Sequence, residues 1–92
     1  MPEIEPILER ADVSEERPTE VLDVRNLGPP EPLSRTLERL AELPSETVLV
    51  QLNDRAPQFL YPKLEDREYG YETFEAAEST VTVIYNLEEG EP

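Results

Sequence analysis

Two short polar clusters contain the side chains that could do chemistry. One spans residues 23–26 and the other residues 53–55, and each lies at the end of an apolar segment. Carboxylates such as Asp23 and Asp54, with Glu31, could transfer protons or bind a divalent cation, whereas arginines could bind a small anion or a partner's carboxylate. The candidate ligand- or partner-binding residues are Asp23, Arg25, Asn26, Pro29, Pro30, Asn53, Asp54 and Arg55.

The residue types that the sequence lacks exclude several reactions. With no Cys and no His, the chain has no thiol chemistry and none of the usual ligands of zinc, haem or iron–sulfur clusters. Its serines have no histidine base, and there is no glycine-rich phosphate-binding loop. We therefore predict no cofactor and no catalytic residue. A small carboxylate-based hydrolase that uses a divalent cation is the enzymatic alternative.

The charge is strongly acidic, since 22 Asp and Glu against 8 Lys and Arg give a formal net charge of −14. Residues 1–19, 20–86 and 87–92 carry −4, −7 and −3, so the excess is spread over the chain. Such a surface repels a phosphate backbone, which argues against nucleic-acid binding. Lys63 is the single lysine, and this balance resembles proteins of extreme halophiles, in which molar salt screens the repulsion. An acidic face for a basic partner is the competing interpretation.

The pattern along the chain predicts one domain with two acidic tails. Residues 1–19 contain three prolines and predict a mobile tail, with at most one helical turn at residues 7–11, and residues 87–92 predict a second tail. No apolar run approaches the roughly 18 residues of a membrane span, and the acidic start does not resemble a secretory signal. We therefore expect a cytoplasmic protein that does not bind membranes, with its domain at residues 20–86.

Apolar periodicity predicts the order βαβαββ within that domain. Strands are expected at residues 21–25, 47–52, 71–75 and 80–85, and Pro32 opens a helix that Pro44 ends. The buried face of this helix is predicted to carry Leu33, Leu37, Leu40 and Ala41. A second helix of about ten residues should bury Phe59, Leu60 and Leu64. Pro62 either falls in the first turn of this helix or kinks it.

This order implies an α+β two-layer sandwich with a mixed four-stranded sheet and both helices on one face. A right-handed crossover makes the first two strands parallel, and their carboxyl edge should bring the two polar clusters together beside both helix N-termini. Alternatively, Asn53 or Asp54 caps the second helix and Asp23 pairs with Arg25 or Arg55. The opposite sheet face is predicted to be open, and its expected members are Asp23, Arg25, Thr47, Leu49 and Gln51.

Residues 22–32 resemble the signature of the TusA/SirA sulfur carriers, Leu-Asp-x-Arg-Gly-Leu-x-Cys-Pro-x-Pro. Pro29 stands where the persulfide cysteine belongs, so sulfur transfer is excluded. The chain is similar over residues 20–86 to cysteine-less relatives of unknown function, whose second motif is Asn-Asp-His-Asp-Pro. Here Arg55 and Ala56 replace the His and Asp of that motif. The resemblance implies the βαβαββ fold and an accessory role linked to redox, haem or nitrogen-oxide metabolism.

The sequence leaves three functions open. The favoured one is a non-catalytic accessory module that binds an unidentified protein partner or a small anion on a carrier-like scaffold. The others are the carboxylate-based enzyme and a structural subunit of a homo-oligomer that assembles through the open sheet face. The oligomeric state does not follow from the sequence.

Overall fold

The computed structural model describes residues 17–87, so most of both predicted tails lies outside the described residues. Its elements are β1 Thr19–Asp23, α1 Glu31–Glu42, β2 Val48–Asn53, α2 Leu60–Asp66, β3 Tyr69–Glu75 and β4 Thr80–Asn86. The sheet order is β1-β2-β4-β3, with β1 parallel to β2 and the other neighbours antiparallel. The predicted α+β fold with the order βαβαββ is therefore confirmed.

Helix α1 begins where the sequence predicts, with Pro32 in its first turn, and ends just before Pro44. Its buried residues are Thr36 and Leu40, whereas the predicted buried residue Ala41 is exposed. Position 36 rather than 41 faces the sheet because 33, 36, 37 and 40 complete one helical stripe. The threonine hydroxyl is accommodated there by hydrogen bonds, so a pattern of apolar residues alone misses it.

Helix α2 has seven residues instead of the expected ten. It begins at Leu60, so Pro62 lies in its first turn, which is the first of the two predicted alternatives. Leu60 and Leu64 are buried one turn apart, but Phe59 precedes the helix and is 84% exposed. The prediction that Phe59 lies on the buried face is wrong, because the late start of the helix directs this side chain away from the sheet.

The helices pack on one face of the sheet, where Leu40, Leu60 and Leu64 contact Leu49 and Ile84. The predicted assignment of β2 side chains to the two faces is therefore wrong: Leu49 and Gln51 lie on the helix-covered face and are fully buried. Strand β2 is apolar on both faces, so alternation could not identify the open one. The polar Gln51 is tolerated inside because its amide finds partners there.

The opposite face, called the second face below, has its own apolar cluster. Its fully or nearly fully buried members are Val48, Val50, Leu52, Val81 and Val83. Val21 on the edge strand lies beside Val50 and is 46% exposed. By the same register Asp23 also lies on this face, beside Leu52, as predicted. Arg25 and Thr47 lie outside the strands, so the strand register assigns neither of them to a face of the sheet.

Within residues 17–87, no helix is long and apolar enough to cross a membrane.

Candidate functional site

A cleft of about 660 Å³ opens at the carboxyl edge of β2. Residues 27–33, which lead into α1, form one wall, and residues 53–60, which lead into α2, form the other. The lining is largely apolar, with four prolines and three leucines. Ligand sites in open α/β sheets commonly lie at this edge, because the loops that leave adjacent strands diverge there.

Prolines and short-range hydrogen bonds hold the two walls. The first wall contains a cis peptide bond between Pro29 and Pro30, and the N–H of Glu31 donates to the carbonyl of Gly28 at 3.0 Å. In the second wall the N–H of Leu60 donates to the carbonyl of Pro57 at 3.0 Å. Because proline fixes φ, little conformational freedom is left to lose when a ligand binds.

The exposed side chains of the second wall define what the cleft offers to a ligand. The ring of Phe59 is mostly in solvent. Arg55 and Asp54 form an exposed ion pair, with 3.4 Å between Nε and Oδ1. These two charges cancel within the cleft lining, so the lining has no excess positive charge for an anion and presents mainly apolar surface.

The structure brings together only part of the predicted site. Pro29, Pro30, Asn53, Asp54 and Arg55 all line the cleft. Asp23, Arg25 and Asn26 are not among its lining residues. The N-terminus of α1 carries Glu31 in its first turn, which opposes an anion there.

Asp23 and Arg25 pair with each other instead of serving the cleft. The Arg25 Nε and Nη2 atoms donate to the two carboxylate oxygens at 2.9 and 2.7 Å, and the Arg25 backbone N–H donates to the same carboxylate. These hydrogen bonds, with the positive charge of Arg25, hold the pKa of Asp23 below its usual value. The pair therefore ends β1 with a closed turn, and its charges satisfy each other.

Asn53 belongs to the interior, and neither it nor Asp54 caps α2. The residue before that helix is Phe59, and no side chain caps it. Asn53 is 5% exposed, donates to Gln51 Oε1 at 3.4 Å, and accepts from the backbone N–H of Asp54 at 2.7 Å. The predicted capping role is therefore wrong. Asn53 instead connects the floor of the cleft to the buried polar contacts of β2.

Sequence reasoning missed the apolar part of the lining. Leu27, Leu33, Pro57 and Phe59 all line the cleft, but none was a predicted site residue. A signal was present, because Pro62 is tolerated best in the first turn of a helix, and this position favours a helix that starts after Phe59. An apolar residue such as Phe59, which lies between a turn and the first residue of a late-starting helix, is a candidate for an exposed side chain that contacts a ligand.

The described residues contain no group of three or more Asp and Glu side chains placed to hold a metal ion. Asp23, Asp54 and Glu31, which the enzymatic alternative requires, are engaged separately in pairs with Arg25, Arg55 and Arg35.

The family described as "Uncharacterized conserved protein (DUF2249)" matches residues 21–85. The match covers most of the chain and both walls of the cleft, and the protein belongs to this family. No curated protein and no solved structure matches the chain.

Proposed function

We propose that this domain is a non-catalytic binding module whose cleft receives an apolar side chain of a protein partner. The observation that carries the proposal is Phe59, a large aromatic residue that is 84% exposed on the rim of a proline-rich apolar cleft. Aromatic residues beside preformed pockets often supply most of the binding energy of an interface. The rigid walls reduce the entropy that binding costs.

The chemistry of the partner follows from the charge around the cleft. The chain carries −14, and Glu31, between the lining residues Pro30 and Pro32, is exposed. A partner segment with an aliphatic or aromatic anchor flanked by Lys or Arg would complement both the apolar lining and the acidic surround. A small anion is a less suitable ligand, because Arg55 is the one basic residue among the lining residues and Asp54 already neutralises it.

The resemblance to TusA/SirA carriers supports the same location. Pro29, at the position of the persulfide cysteine in those carriers, lies in the cleft lining. Carriers act by docking with other proteins, so loss of the cysteine can leave a docking surface without its chemistry. On this proposal the domain is an accessory module of redox, haem or nitrogen-oxide metabolism, and its acidity reflects a salty cytoplasm.

A displayed library of random peptides, selected on the full chain at the lowest KCl concentration that keeps it folded, tests this proposal. We expect enrichment of peptides with an apolar anchor and basic flanks, and backbone amide shifts confined to residues 27–33 and 53–60. Phe59→Ala should weaken their binding about 30-fold with the melting temperature unchanged, because the ring is exposed.

Leu87→Ala is the matched control, since Leu87 is also an exposed apolar residue, 54% accessible, but lies beyond the far end of β4. It should not alter peptide binding. Equal effects of the two substitutions, or amide shifts centred elsewhere, would contradict the proposal.

A further inference from the structure

A chain of buried hydrogen bonds joins the two walls of the cleft. At its first end, the Thr36 hydroxyl donates to the carbonyl of Pro32 at 2.7 Å and accepts from the Gln51 side-chain amide at 2.8 Å. Pro32 lines the cleft in the first wall. Gln51 lies on the helix-covered face of the central strand β2, opposite the second face, so this end connects the first wall to the middle of the sheet.

The other end of the chain of hydrogen bonds reaches the second wall. The Gln51 side-chain oxygen accepts from Asn53 Nδ2 at 3.4 Å, and Asn53 Oδ1 accepts from the backbone N–H of Asp54 at 2.7 Å. Asp54 lines the cleft in the second wall. Gln51 itself is not among the lining residues, so it can affect a ligand only through the residues that it contacts.

The polar groups of this chain occupy positions that apolar side chains could fill. Thr36 and Gln51 are 0% exposed, and Asn53 is 5% exposed. Burying such groups is unfavourable unless each one is hydrogen-bonded, and even then the net gain is modest. Among residues 17–87, no buried side-chain nitrogen or oxygen lacks a partner. A satisfied network of this kind contributes orientation more than stability, because hydrogen bonds depend on angle and apolar contacts do not.

The local hydrogen bonds of the second wall do not attach it to the sheet. The N–H of Gln58 donates to the carbonyl of Ala56, and the N–H of Leu60 donates to the carbonyl of Pro57, both at 3.0 Å. These contacts shape the wall from within. Its far end is held by Leu60 in the apolar cluster under the helices, and its near end is held by the Asn53 side chain.

We propose that Gln51 is a positioning residue of the cleft. It orients the Asn53 side chain, which holds the Asp54 backbone, and with it the start of the second wall, relative to the first turn of α1. The inference rests on the proposed function, since it assigns to Gln51 part of the affinity for the partner's apolar anchor. A preformed cleft binds more tightly than one whose walls must first be ordered. Loss of the Gln51 amide therefore weakens binding although no contact with the ligand is lost.

Hydrogen exchange in the free protein tests the positioning without a ligand. Gln51→Met keeps the length of the side chain without its hydrogen bonds, and the Asp54 amide should then exchange about 5-fold faster than in the parent, as expected for one lost hydrogen bond. Ile84→Val is the matched control, because it weakens the same helix-covered core without touching the polar chain. Equal exchange of the Asp54 amide in the two variants would overturn the proposal.

Affinity for a peptide selected on the parent protein gives the functional readout. Gln51→Met should weaken binding about 10-fold, whereas Ile84→Val should leave it within about 2-fold, at a temperature at which both variants are folded. In an Asn53→Ala background, Gln51→Met should have little further effect, because Gln51 acts through Asn53. Equal affinities of Gln51→Met and Ile84→Val, or additive losses in the double variant, would overturn the proposal.

The two readouts separate this proposal from the proposed function. If no peptide binds the parent protein at the cleft but the Asp54 amide exchanges faster in Gln51→Met, the proposed function fails and the positioning of the wall by Gln51 is supported. If peptides bind at the cleft and neither readout distinguishes Gln51→Met from Ile84→Val, the proposed function is supported and the role of Gln51 in it is overturned.

Discussion

The side-chain amide of Gln51 donates a hydrogen bond to the hydroxyl of Thr36 at 2.8 Å, between β2 and α1, and both residues are fully buried. The same hydroxyl donates to the carbonyl of Pro32 at 2.7 Å, so it is satisfied as donor and acceptor. This contact fixes the position of α1 over the sheet. It thereby connects α1, which follows one wall of the cleft, with β2, which leads into the other.

Thr36→Val should destabilise the protein by about 1–3 kcal/mol, because it keeps the shape of the side chain but leaves the buried Gln51 amide without its acceptor. Thr36→Ser, which keeps the hydroxyl, is the control, and it should lower the free energy of unfolding by less than Thr36→Val does. In the double variant Thr36→Val with Gln51→Leu, part of the loss should be recovered, since the Gln51 amide that lacked an acceptor is then absent. The recovery is incomplete because Asn53 Nδ2 loses its acceptor on Gln51. Denaturant unfolding in molar KCl measures all three, and additive losses in the double variant would contradict the argument.

The fold was predictable because its elements have strong local signals. Pro32 and Pro44 bound α1, and the β-branched runs of β2 and β4 leave no other assignment. The distribution of side chains between the sheet faces was not predictable, because β2 is apolar on both sides. The polar side chain of Gln51 predicts a solvent-facing position. It is buried because Thr36, fifteen positions earlier in the chain, provides a hydrogen-bond acceptor inside the core.

Only part of the candidate site was predictable, because the sequence pattern does not show which side chains pair with each other in the folded protein. Polar residues at the ends of parallel strands indicate the correct edge of the sheet, and Asn53, Asp54 and Arg55 do lie at the cleft. The sequence does not say which charges neutralise each other locally. Arg25 forms an ion pair with Asp23, two residues away, and neither residue lines the cleft. The exposure of Phe59 depends on where α2 starts, and element boundaries are the weakest part of any pattern-based prediction.

The phenol of Tyr71 should ionise only at strongly alkaline pH. Its hydroxyl donates to Glu65 Oε2 at 2.6 Å, and this hydrogen bond, with partial burial and the carboxylate charge, raises the pKa of Tyr71 to about 12. Since the folded-state pKa lies above the unfolded value of about 10, the associated stability is fully present below pH 10 and is lost as the pH rises toward 12.

Glu65→Gln should lower the pKa of Tyr71, because the main cause of the shift is removed. The control Asp66→Asn changes the charge equally, next to Glu65 in the sequence, and should have little effect. Titration of the ¹³Cζ resonance of Tyr71 measures both variants. A Tyr71 pKa near 10 in the parent protein would show that the hydrogen bond with Glu65 is not formed in solution.

Glu68 occupies a backbone conformation that suits glycine or asparagine. Its φ is 63°, in the left-handed region, and it lies just after the end of α2, where Arg67 is the capping residue. Glu68→Asn should therefore stabilise the protein by about 0.5–1 kcal/mol. Glu68→Gln removes the same charge, but glutamine lacks the preference of asparagine for this conformation. Comparison of the two variants therefore separates the effect of backbone strain from that of charge. Equal unfolding free energies for the two variants would assign the gain to charge alone.

The stability of the protein should increase strongly with salt. A net charge of −14 on 92 residues repels itself in dilute buffer, and molar KCl screens charges separated by more than about 3 Å. We expect the melting temperature to rise by about 10 °C or more between dilute buffer and molar KCl, with a partly unfolded chain at the low end. Sucrose of equal osmolality stabilises proteins because it is excluded from their surface, but it does not screen charges. It should therefore raise the melting temperature by less than KCl does. A melting temperature that is the same in both KCl concentrations would refute the screening argument and the halophile interpretation that rests on it.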